Sequence, residues 1–457
     1  MVAQHIEVDV AVVGAGSAGA AAAGMLAGTG RAVALLESRP FARAGARWQN
    51  GVPAWMFERA GLPPPAGAEL VRPGEPWVML GPFGQARTAL PTSILQVDVG
   101  RLNDRLLAEA RRAGARCVEG AELVEVDLGP DGRPRTAGFA LAPWPGGRLE
   151  VRARLFLDAT GRAGALRTRL PAWAAAAPPR PEEVCLAAQE VRAVTDAVAA
   201  RAFLERLGLE PGVEASRLGL AGGFSVSTVR VAPDLGSVAL LAGTDGREAG
   251  GRVLLERLRA AEPWIGPRLR GGEGAIDLRR PCANLAVPGA ALLGEAGRLV
   301  FPLHASGTGA GLVSARLLAE ALDSSPDPGA AEVAWRYQAT VQCSLGGVHA
   351  AYDVLRRLIA ALAPPEVERL IASGLLTPGL VTAGLEQRLP GPGALEPWRQ
   401  VRGLPRLLGS PELARALATR LPRMALALAV HRAYPERPDE AALGRWARAE
   451  ARLLDWD

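Results

Sequence analysis

The sequence predicts an α/β protein in which a parallel-sheet domain is interrupted by an antiparallel sheet and followed by a helical tail. Three observations support this fold class. The chain begins with a strand, a glycine-rich turn, a small-residue helix and a second strand, which together form a βαβ unit. Apolar and polar residues alternate in segments between residues 181 and 278, as in half-buried antiparallel strands. Beyond residue 331 the apolar spacing is helical, with proline-rich turns between the segments.

The order of these patterns predicts four regions. Residues 1–180 form the first part of the parallel-sheet domain and include a loop-rich insert, 41–96, with one short helix. Residues 181–278 form the antiparallel sheet. A strand, a glycine-rich loop and a helix return in residues 279–330, so these complete the first domain, and residues 331–457 form the helical region.

Composition limits the classes of function open to the chain. Its 457 residues, 49% of them hydrophobic, are enough for a large core. Basic residues exceed acidic ones by 52 to 47, but the two signs alternate and no basic segment is interleaved with aromatics. We therefore expect no nucleic-acid partner. The chain has no lysine, which excludes Schiff-base and other lysine chemistry.

Cysteine spacing and hydropathy predict a cytoplasmic protein without a transmembrane segment. The four cysteines form no CxxC pair, so we expect neither a disulfide framework nor a metal site. The first residues lack a signal-peptide pattern, and no apolar run reaches the roughly 18 residues that a membrane span needs. The apolar residues 424–430 are a candidate for peripheral membrane contact, but such a short segment favours burial against the first domain.

A glycine-rich turn directly follows the first strand. In its Gly14-x-Gly16-x-x-Gly19 pattern, the first glycine makes a tight turn, the second lets a pyrophosphate approach the main chain, and the third permits close helix packing. Glu37 ends the next strand, where a carboxylate accepts hydrogen bonds from adenosine ribose hydroxyls and repels the 2′-phosphate of NADP. The order of these elements favours dinucleotide binding over a flexible loop. The predicted binding residues are Gly14, Ala15, Gly16, Ser17, Ala18, Gly19, Glu37, Ser38, Arg39 and Arg47, although the two arginines could equally be solvated surface residues.

Two further motifs follow in order. One reads Leu157-Asp158-Ala159-Thr160-Gly161-Arg162, and the other runs from Gly294-Glu295-Ala296-Gly297 to Pro302 and Gly307-Thr308-Gly309. Together with the first turn, they make the sequence resemble, over about residues 6–320, a flavoprotein group that includes p-hydroxybenzoate hydroxylase, geranylgeranyl reductases and flavin-dependent halogenases. The resemblance implies a Rossmann-like FAD-binding domain of the glutathione-reductase (ββα) type, with an inserted substrate domain.

The resemblance also implies roles for these motifs. Beside the FAD pyrophosphate it places Asp158, Ala159, Thr160 and Gly161, for which a plain strand-ending turn is the alternative. Along the flavin it places Gly294, Gly307, Thr308 and Gly309. Glu295 stands where the group usually has aspartate, as an acceptor for the ribityl chain with a longer reach.

One further position departs from the pattern of the group. Val99 stands where an arginine is common. Arg101, two residues on, is either a substitute ligand for the phosphates or an ordinary residue at a helix start.

On the substrate side, the resemblance points to the loop around His304 and to one stretch of the insert. His304 is a candidate proton donor or flavin-polarising group, because imidazole titrates in the useful range, and a structural histidine is the alternative. Trp48, Gln49 and Asn50 correspond to a segment that often runs beside the flavin, although the tryptophan could equally pack the insert. Phe224 completes the predicted substrate-lining set.

These features predict an FAD-dependent oxidoreductase that acts on a small apolar or aromatic molecule, by hydride transfer or by hydroxylation through a flavin hydroperoxide. A non-redox cyclase or isomerase that carries FAD is the alternative. The strand around Phe224 lacks the Tyr-x-Trp-x-Phe-Pro signature of geranylgeranyl reductases, so a long prenyl substrate is not supported. Halogenation is disfavoured, because halogenases of the group use a lysine and a Trp-x-Trp-x-Ile-Pro signature, and the chain has neither.

The sequence leaves two alternatives for the electron donor. The chain has no second strand-linked GxGxxG motif for a resident nicotinamide cofactor. We therefore expect either NAD(P)H, bound transiently over an exposed flavin, or a separate electron-donor protein.

Overall fold

The computed structural model describes residues 4–74, 76–90, 93–142, 146–174, 178–247, 249–391 and 410–455. It confirms the predicted α/β class, with described strands in sheets of eight, seven and three strands. The strands are β1 Gln4–Val13, β2 Val33–Glu37, β3 Gln49–Pro53, β4 Leu70–Arg72, β5 Trp77–Leu80, β6 Arg87–Leu90, β7 Ile94–Asp98, β8 Arg116–Glu119, β9 Ala121–Leu128, β10 Pro134–Leu141, β11 Gly147–Asp158, β12 Val184–Val194, β13 Glu214–Leu218, β14 Ser225–Val231, β15 Ser237–Asp245, β16 Ile265–Asp277, β17 Ala286–Val287 and β18 Ala290–Leu292. The α-helices are α1 Ser17–Ala27, α2 Ala54–Arg59, α3 Val99–Arg112, α4 Pro171–Ala174, α5 Ala197–Arg206, α6 Gly251–Ala261, α7 Thr308–Ala321, α8 Ala331–Val341, α9 Gly347–Ala360, α10 Pro364–Ala372, α11 Pro378–Leu385, α12 Pro411–Arg432 and α13 Glu440–Leu454.

The eight-stranded sheet carries the first glycine turn. Its main path runs in the order β17-β18-β11-β1-β2-β8, and β1 pairs in parallel with β11 and β2. All five residues of β2 are buried, as expected for a parallel strand that is covered on both faces. Because β1, β11 and β18 are parallel neighbours, their carboxyl ends meet at one edge of the sheet, where ligands of such folds bind.

Small side chains bring the helices close to this edge. Helix α1 is built mostly of alanine and glycine, and its residues from Gly19 to Ala23 are buried in the core that it shares with α3 and α7. A second core lies around β9, β10 and β11 and includes Trp173. The glycine loops are thus held between two packed layers.

The seven-stranded sheet runs in the order β16-β12-β15-β14-β13-β5-β6 and is antiparallel except for the pair β13 and β5. Helices α5 and α6 pack on one face of it, around Leu204, Leu240 and Leu255. The predicted antiparallel sheet is therefore present, and it also includes β5 and β6 from the insert at 41–96.

The loop-rich insert at 41–96 also holds strands that the sequence did not indicate. It contains five strands, β3 to β7, each three to five residues long. Glycine and proline lie within β3 and close to the ends of the other four strands, so the sequence shows no alternation long enough to indicate a strand. The pairing comes instead from tertiary contacts, as when β3 and β4 pair on either side of β7.

The C-terminal region is helical where the structure describes it, and residues 392–409 lie outside the described residues. Helix α12 contains the apolar residues 424–430 and packs against α9 and α13 through Met424, Ala427 and Leu428. Leu421 and Leu426 remain exposed on the same helix. In the described part of the chain, no helix is long and apolar enough to cross a membrane.

Candidate functional site

The first glycine turn fits its predicted use. Gly14 has φ +100°, and a Cβ there would lie 2.4 Å from the carbonyl oxygen of Ala159. A Cβ on Gly19 would lie 1.9 Å from the carbonyl oxygen of Gly14, so protein packing alone requires glycine at both positions. At Gly16 the nearest atom is 3.6 Å away, an ordinary contact, so this glycine leaves room for a group outside the protein. In the part of the chain that the structure describes, no side chain caps the N-terminus of α1, and its first turn carries no acidic residue, which suits a pyrophosphate.

Glu37 ties β2 to this turn. It is 4% exposed, and its Oε2 accepts a hydrogen bond from the amide of Ala15 at 2.9 Å. Its Oε1 accepts from the Ser38 hydroxyl at 3.4 Å and from the Arg39 amide at 3.1 Å. The structure thus brings together four residues of the predicted nucleotide set, with the carboxylate fixing the position of the turn.

Arg47 and Arg101, the other two arginines of the predicted site, make different contacts. The Arg47 guanidinium donates to the carbonyl oxygens of Phe41, Ala44 and Gly100, so it holds the insert to the start of α3. Arg101 is exposed, and among the described residues its guanidinium has no hydrogen-bond acceptor, while its amide donates to the capping carboxylate of Asp98. Phosphate contact by either arginine stays a prediction.

Asn103 is a neighbour that sequence reasoning missed. It is fully buried, and its Nδ2 donates to the carbonyl oxygen of Ala15 at 3.0 Å. Its Oδ1 has no hydrogen-bond partner among the described residues. The sequence could have indicated Asn103, because it is a polar amide on the otherwise apolar face of α3, and a buried amide needs hydrogen-bond partners.

The Asp158 turn packs directly against the first glycine turn. The carboxylate of Asp158 accepts four hydrogen bonds, from the amide and hydroxyl of Thr160 and from the amides of Leu166 and Arg167, at 2.6–3.0 Å. The Ala159 amide donates to the Val13 carbonyl oxygen at 2.8 Å. The turn therefore adjoins the first glycine turn, and the Asp158 carboxylate holds it together. Its contact with an FAD pyrophosphate stays a prediction.

Glu295 lies in the late glycine loop, close to the carboxylate of Asp277. Gly294 has φ +54°, and a Cβ there would lie 3.2 Å from the Cβ of Ala18, so the late glycine loop packs on the first. The Oε1 of Glu295 is buried without a hydrogen-bond partner among the described residues. Burial, reinforced by the carboxylate of Asp277, raises the pKa of Glu295 to about 7. At neutral pH this side chain can therefore donate or accept a hydrogen bond.

Asp277 and Arg162 form an ion pair beside Glu295; sequence reasoning missed Asp277 and gave Arg162 no role. Asp277 ends β16 and is 1% exposed, with its Oδ1 2.8 Å from the Nε of Arg162. Its Oδ2 has no partner among the described residues. The residue comes from the second sheet, so no local motif indicated it.

The Gly307-Thr308-Gly309 loop is joined to the insert. A Cβ on Gly309 would lie 2.2 Å from the Sδ of Met56, so a larger residue there would require this side chain to move. Asn50 donates to the Thr308 hydroxyl at 3.3 Å and accepts from the Ser306 hydroxyl at 3.0 Å. The structure thus brings a predicted substrate-lining residue against a predicted flavin contact.

Gln49 and Trp48 connect the same segment to the second sheet. The Gln49 amide donates to the Oε1 of Gln189 at 2.8 Å, and the Nε2 of Gln189 donates back to the Gln49 carbonyl oxygen at 3.1 Å. The ring of Trp48 lies against Gly274, where a Cβ would approach it to 2.8 Å. Gln189 is another residue that the sequence did not indicate.

His304 and Phe224 lie on the far side of this loop. The His304 ring centroid is 4.8 Å from that of Phe301, and burial lowers the pKa of His304 to about 4, so the imidazole is neutral at pH 7. Phe224, Cys185 and Leu278 form a small buried cluster that includes Ala305. Ala305 has φ +56°, a backbone strain that is common in loops around active sites. The role of His304 as a proton donor stays a prediction.

Two other features of the described residues bear on site assignment. A cavity of about 460 Å³ is lined by Trp55, Glu58, Arg59, Gly61, Arg316, Glu320 and Arg388, none of which belongs to the predicted site. In the described part of the chain, no cluster of histidine, cysteine and acidic side chains could hold a metal ion. The candidate site is therefore defined by the loops at the sheet edge.

Known flavoproteins resemble this chain in sequence or in structure. No protein-family model matches the chain. The chain is 23% identical over 464 residues to a digeranylgeranylglycerophospholipid reductase from Sulfolobus acidocaldarius, covering 99% of this chain and 98% of the relative. A geranylgeranyl bacteriochlorophyll reductase-like protein from Thermoplasma acidophilum superposes with a TM-score of 0.70, at 17% identity over 91% of this chain and 99% of that one. The chain has the fold of this flavoprotein group. The resemblance inferred from the three motifs is thus confirmed.

A halogenating enzyme shares the same fold. The flavin-dependent brominase Bmp2 superposes with a TM-score of 0.61, at 16% identity over 90% of this chain and 99% of that one. Fold alone therefore does not separate halogenases from the reductases, and the expectation that this chain does not halogenate stays a prediction.

Proposed function

We propose that the chain is an FAD-dependent oxidoreductase that acts on a small apolar or aromatic molecule. The observation that carries the proposal is the meeting of three distant stretches at one sheet edge. Gly14 lies against Ala159, and Ala18 lies against Gly294. A ligand that reaches from Glu37 past Gly16 to the Gly294 loop needs two nucleotide halves, which favours FAD over a mononucleotide.

In this proposal each stretch has a separate task. Glu37 accepts from the adenosine ribose, the open N-terminus of α1 faces the pyrophosphate, and Glu295 exchanges a hydrogen bond with the ribityl chain. FAD itself supplies the redox chemistry when bound. The neutral imidazole of His304 would act through its N–H, because burial keeps the ring uncharged at pH 7.

The substrate is proposed to lie between the loop at residues 301–309 and the seven-stranded sheet. Phe224 and Ala305 give this region an apolar wall, and the Trp48 ring lies at its insert side. Burial, followed by the charge of Asp245, raises the pKa of the Cys185 thiol to about 12. The thiol therefore remains protonated, which makes Cys185 part of the wall rather than a nucleophile.

Gly16 offers a direct test of cofactor binding. Its φ is −69° and the space around it accepts a Cβ, so Gly16→Ala should fold as the wild type does. The added methyl would occupy the space proposed for the pyrophosphate, so we expect at least about a tenfold loss of FAD affinity. Fluorescence titration of the apoprotein with FAD measures it.

Gly272→Ala is the matched control, because nothing lies within 4 Å of a Cβ at Gly272. It should bind FAD as the wild type does. Equal affinity for Gly16→Ala, in protein with a wild-type melting curve, would contradict the proposed position of the cofactor.

The reaction type is tested with labelled oxygen. Reduced holoenzyme is mixed with candidate aromatic substrates under ¹⁸O₂, and the products are analysed by mass spectrometry. Label in the product supports hydroxylation, whereas a product that differs by two hydrogens and carries no label supports hydride transfer. A product with the oxidation state of the substrate, formed without consumption of a donor such as NAD(P)H or an electron-transfer protein, would point to the non-redox alternative.

A further inference from the structure

Three of the four histidines of the chain lie together behind the loop at residues 301–306. The ring centroid of Phe301 is 4.8 Å from that of His304 and 5.6 Å from that of His349 in α9. His431, in the last turn of α12, adjoins the start of α9, because a Cβ on Gly346 would lie 2.9 Å from its Nδ1. The imidazoles thus follow one another from the loop into the helical tail.

Several polar atoms along this line lack hydrogen-bond partners among the described residues. His349 is 1% exposed, and neither of its ring nitrogens is bonded. The Nε2 of His304 and the Oε1 of Gln342 are buried and unbonded as well. A buried unpartnered polar group costs about 1–3 kcal/mol. Ordered buried water, which makes two to four hydrogen bonds to such groups, is the usual partner that removes this cost.

The backbone around Gln342 keeps these atoms facing a common space. Residues Gln342–Gly346 form a π-helical turn, a rare interruption that is frequent at functional sites. A Cβ on Gly346 would lie 2.5 Å from the Oε1 of Gln342, as well as against His431. Glycine at this position therefore leaves both polar atoms uncovered.

The line ends at a charged group. The Nε2 of His431 is 3.3 Å from the Oε1 of Glu450, and both side chains are almost fully buried. Burial opposes ionisation of Glu450, but His431 and Arg280 outweigh it and hold the pKa of this carboxyl below its usual range. Arg280 also contacts Asp455, which is 46% exposed, so this end of the line lies near the surface.

We propose that His304, His349 and His431, joined by buried waters at their unbonded nitrogens and at Gln342, form a relay that carries protons between the Glu450 end and the loop at residues 301–306. The relay rests on the proposed function, because reduction of a flavin by two electrons takes up a proton. Each transfer breaks one N–H or O–H bond and forms one at the next acceptor. One proton therefore enters at the Glu450 end for each that reaches His304, and no electron moves.

The state of the rings suits this task. Burial lowers the pKa of His349 to about 3, so the ring is neutral at pH 7 and has one N–H and one lone pair, as His304 does. A neutral ring can accept a proton at one nitrogen while it releases another from the second. Leucine at this position would fill similar space without either function.

A crystal structure of the purified wild-type protein, at a resolution that shows ordered water, tests the path without any activity. Density for water within hydrogen-bond distance of both His349 nitrogens and of the Gln342 Oε1 is the expected result. Nitrogens that are enclosed by carbon atoms with no water would overturn the relay.

Two substitutions at His349 test the transfer in the FAD-loaded protein. His349→Leu removes the polar atoms, whereas His349→Gln restores a donor and an acceptor. Anaerobic dithionite reduction is followed in a stopped-flow instrument, with flavin absorbance reporting electrons and a pH indicator reporting protons, after subtraction of the protons that dithionite oxidation releases. In His349→Leu we expect proton uptake to lag behind bleaching by at least about tenfold, with rescue in His349→Gln.

The outcomes separate this inference from the proposed function. Coincident electron and proton traces in His349→Leu would overturn the relay and leave FAD binding and reduction intact. A wild-type protein that binds no FAD would overturn the proposed function, and the crystallographic waters at His349 would then decide the hydrated path by themselves.

Discussion

Asp158, which is buried, and Glu295, which is half-buried, lie near the ends of two neighbouring parallel strands, and their carboxyls are used in opposite ways. Asp158 accepts four hydrogen bonds within its own turn. Glu295 keeps one oxygen unbonded among the described residues and lies in the field of Asp277. Similar sequence motifs can therefore have different functions. Asp158 stabilises its own turn, whereas Glu295 can still form a hydrogen bond with a ligand.

Removal of the Asp158 carboxylate should have the largest effect on stability. Asp158→Ala leaves the buried amides of Leu166 and Arg167 without their acceptor, so we expect a loss of about 3–4 kcal/mol in the free energy of unfolding. Urea denaturation followed by circular dichroism measures it. Asp104→Ala is the control, because its contact with Arg47 is exposed and should contribute less than about 1 kcal/mol. Equal losses in the two variants would contradict the structural role of Asp158.

The pH dependence of stability should distinguish Glu295. Its pKa is raised from 4.5 to about 7 in the folded protein, so between these values the folded state holds the proton more tightly than the unfolded chain does. The resulting contribution is full below the unfolded pKa and is lost as pH rises through the folded pKa. In the wild type we therefore expect the free energy of unfolding to fall by about 1–3 kcal/mol between pH 4.5 and 7.

Glu295→Gln provides the comparison for this loss. The variant cannot ionise at this position, so its free energy of unfolding should change less over the same pH range. Urea melts of both proteins at several pH values measure the difference. Parallel pH profiles would show that Glu295 titrates normally and would remove the contrast with Asp158.

The hydroxyl of Thr160 should have the smallest effect. It donates to Asp158 at 2.6 Å and accepts from the Ala165 amide at 2.7 Å. Thr160→Ala should cost about 1–2 kcal/mol in the free energy of unfolding, and Thr160→Ser, which keeps the hydroxyl, clearly less. If serine and alanine cost the same in urea melts, the hydroxyl does not contribute to the network of Asp158.

Some of this arrangement could be predicted from the sequence. The glycine spacing, the buried β2 run and the carboxylate at its end indicate a dinucleotide turn, because each follows from local backbone geometry. The order of the three motifs indicated the fold, which the structural comparisons confirm. Domain boundaries and the roles of individual site residues stay predictions.

Other parts of the site could not be predicted, for a physical reason. Gln189 and Asp277 come from the second sheet and reach the loops only through tertiary packing, so no local pattern marks them. Strands β3 to β7 are too short for alternation to be visible. His349 belongs to an amphipathic helix, and it is distinguished by ring nitrogens that have no hydrogen-bond partner among the described residues.

The central claim is that the loops at residues 14–19, 158–161 and 294–309 together hold one FAD. Its most direct test is the purified full-length chain: the visible spectrum is recorded, the protein is denatured by heat, and the released cofactor is identified by chromatography against FAD, FMN and NAD standards. The account predicts a yellow protein that releases one FAD per chain. A colourless, folded protein that does not take up added FAD would contradict it.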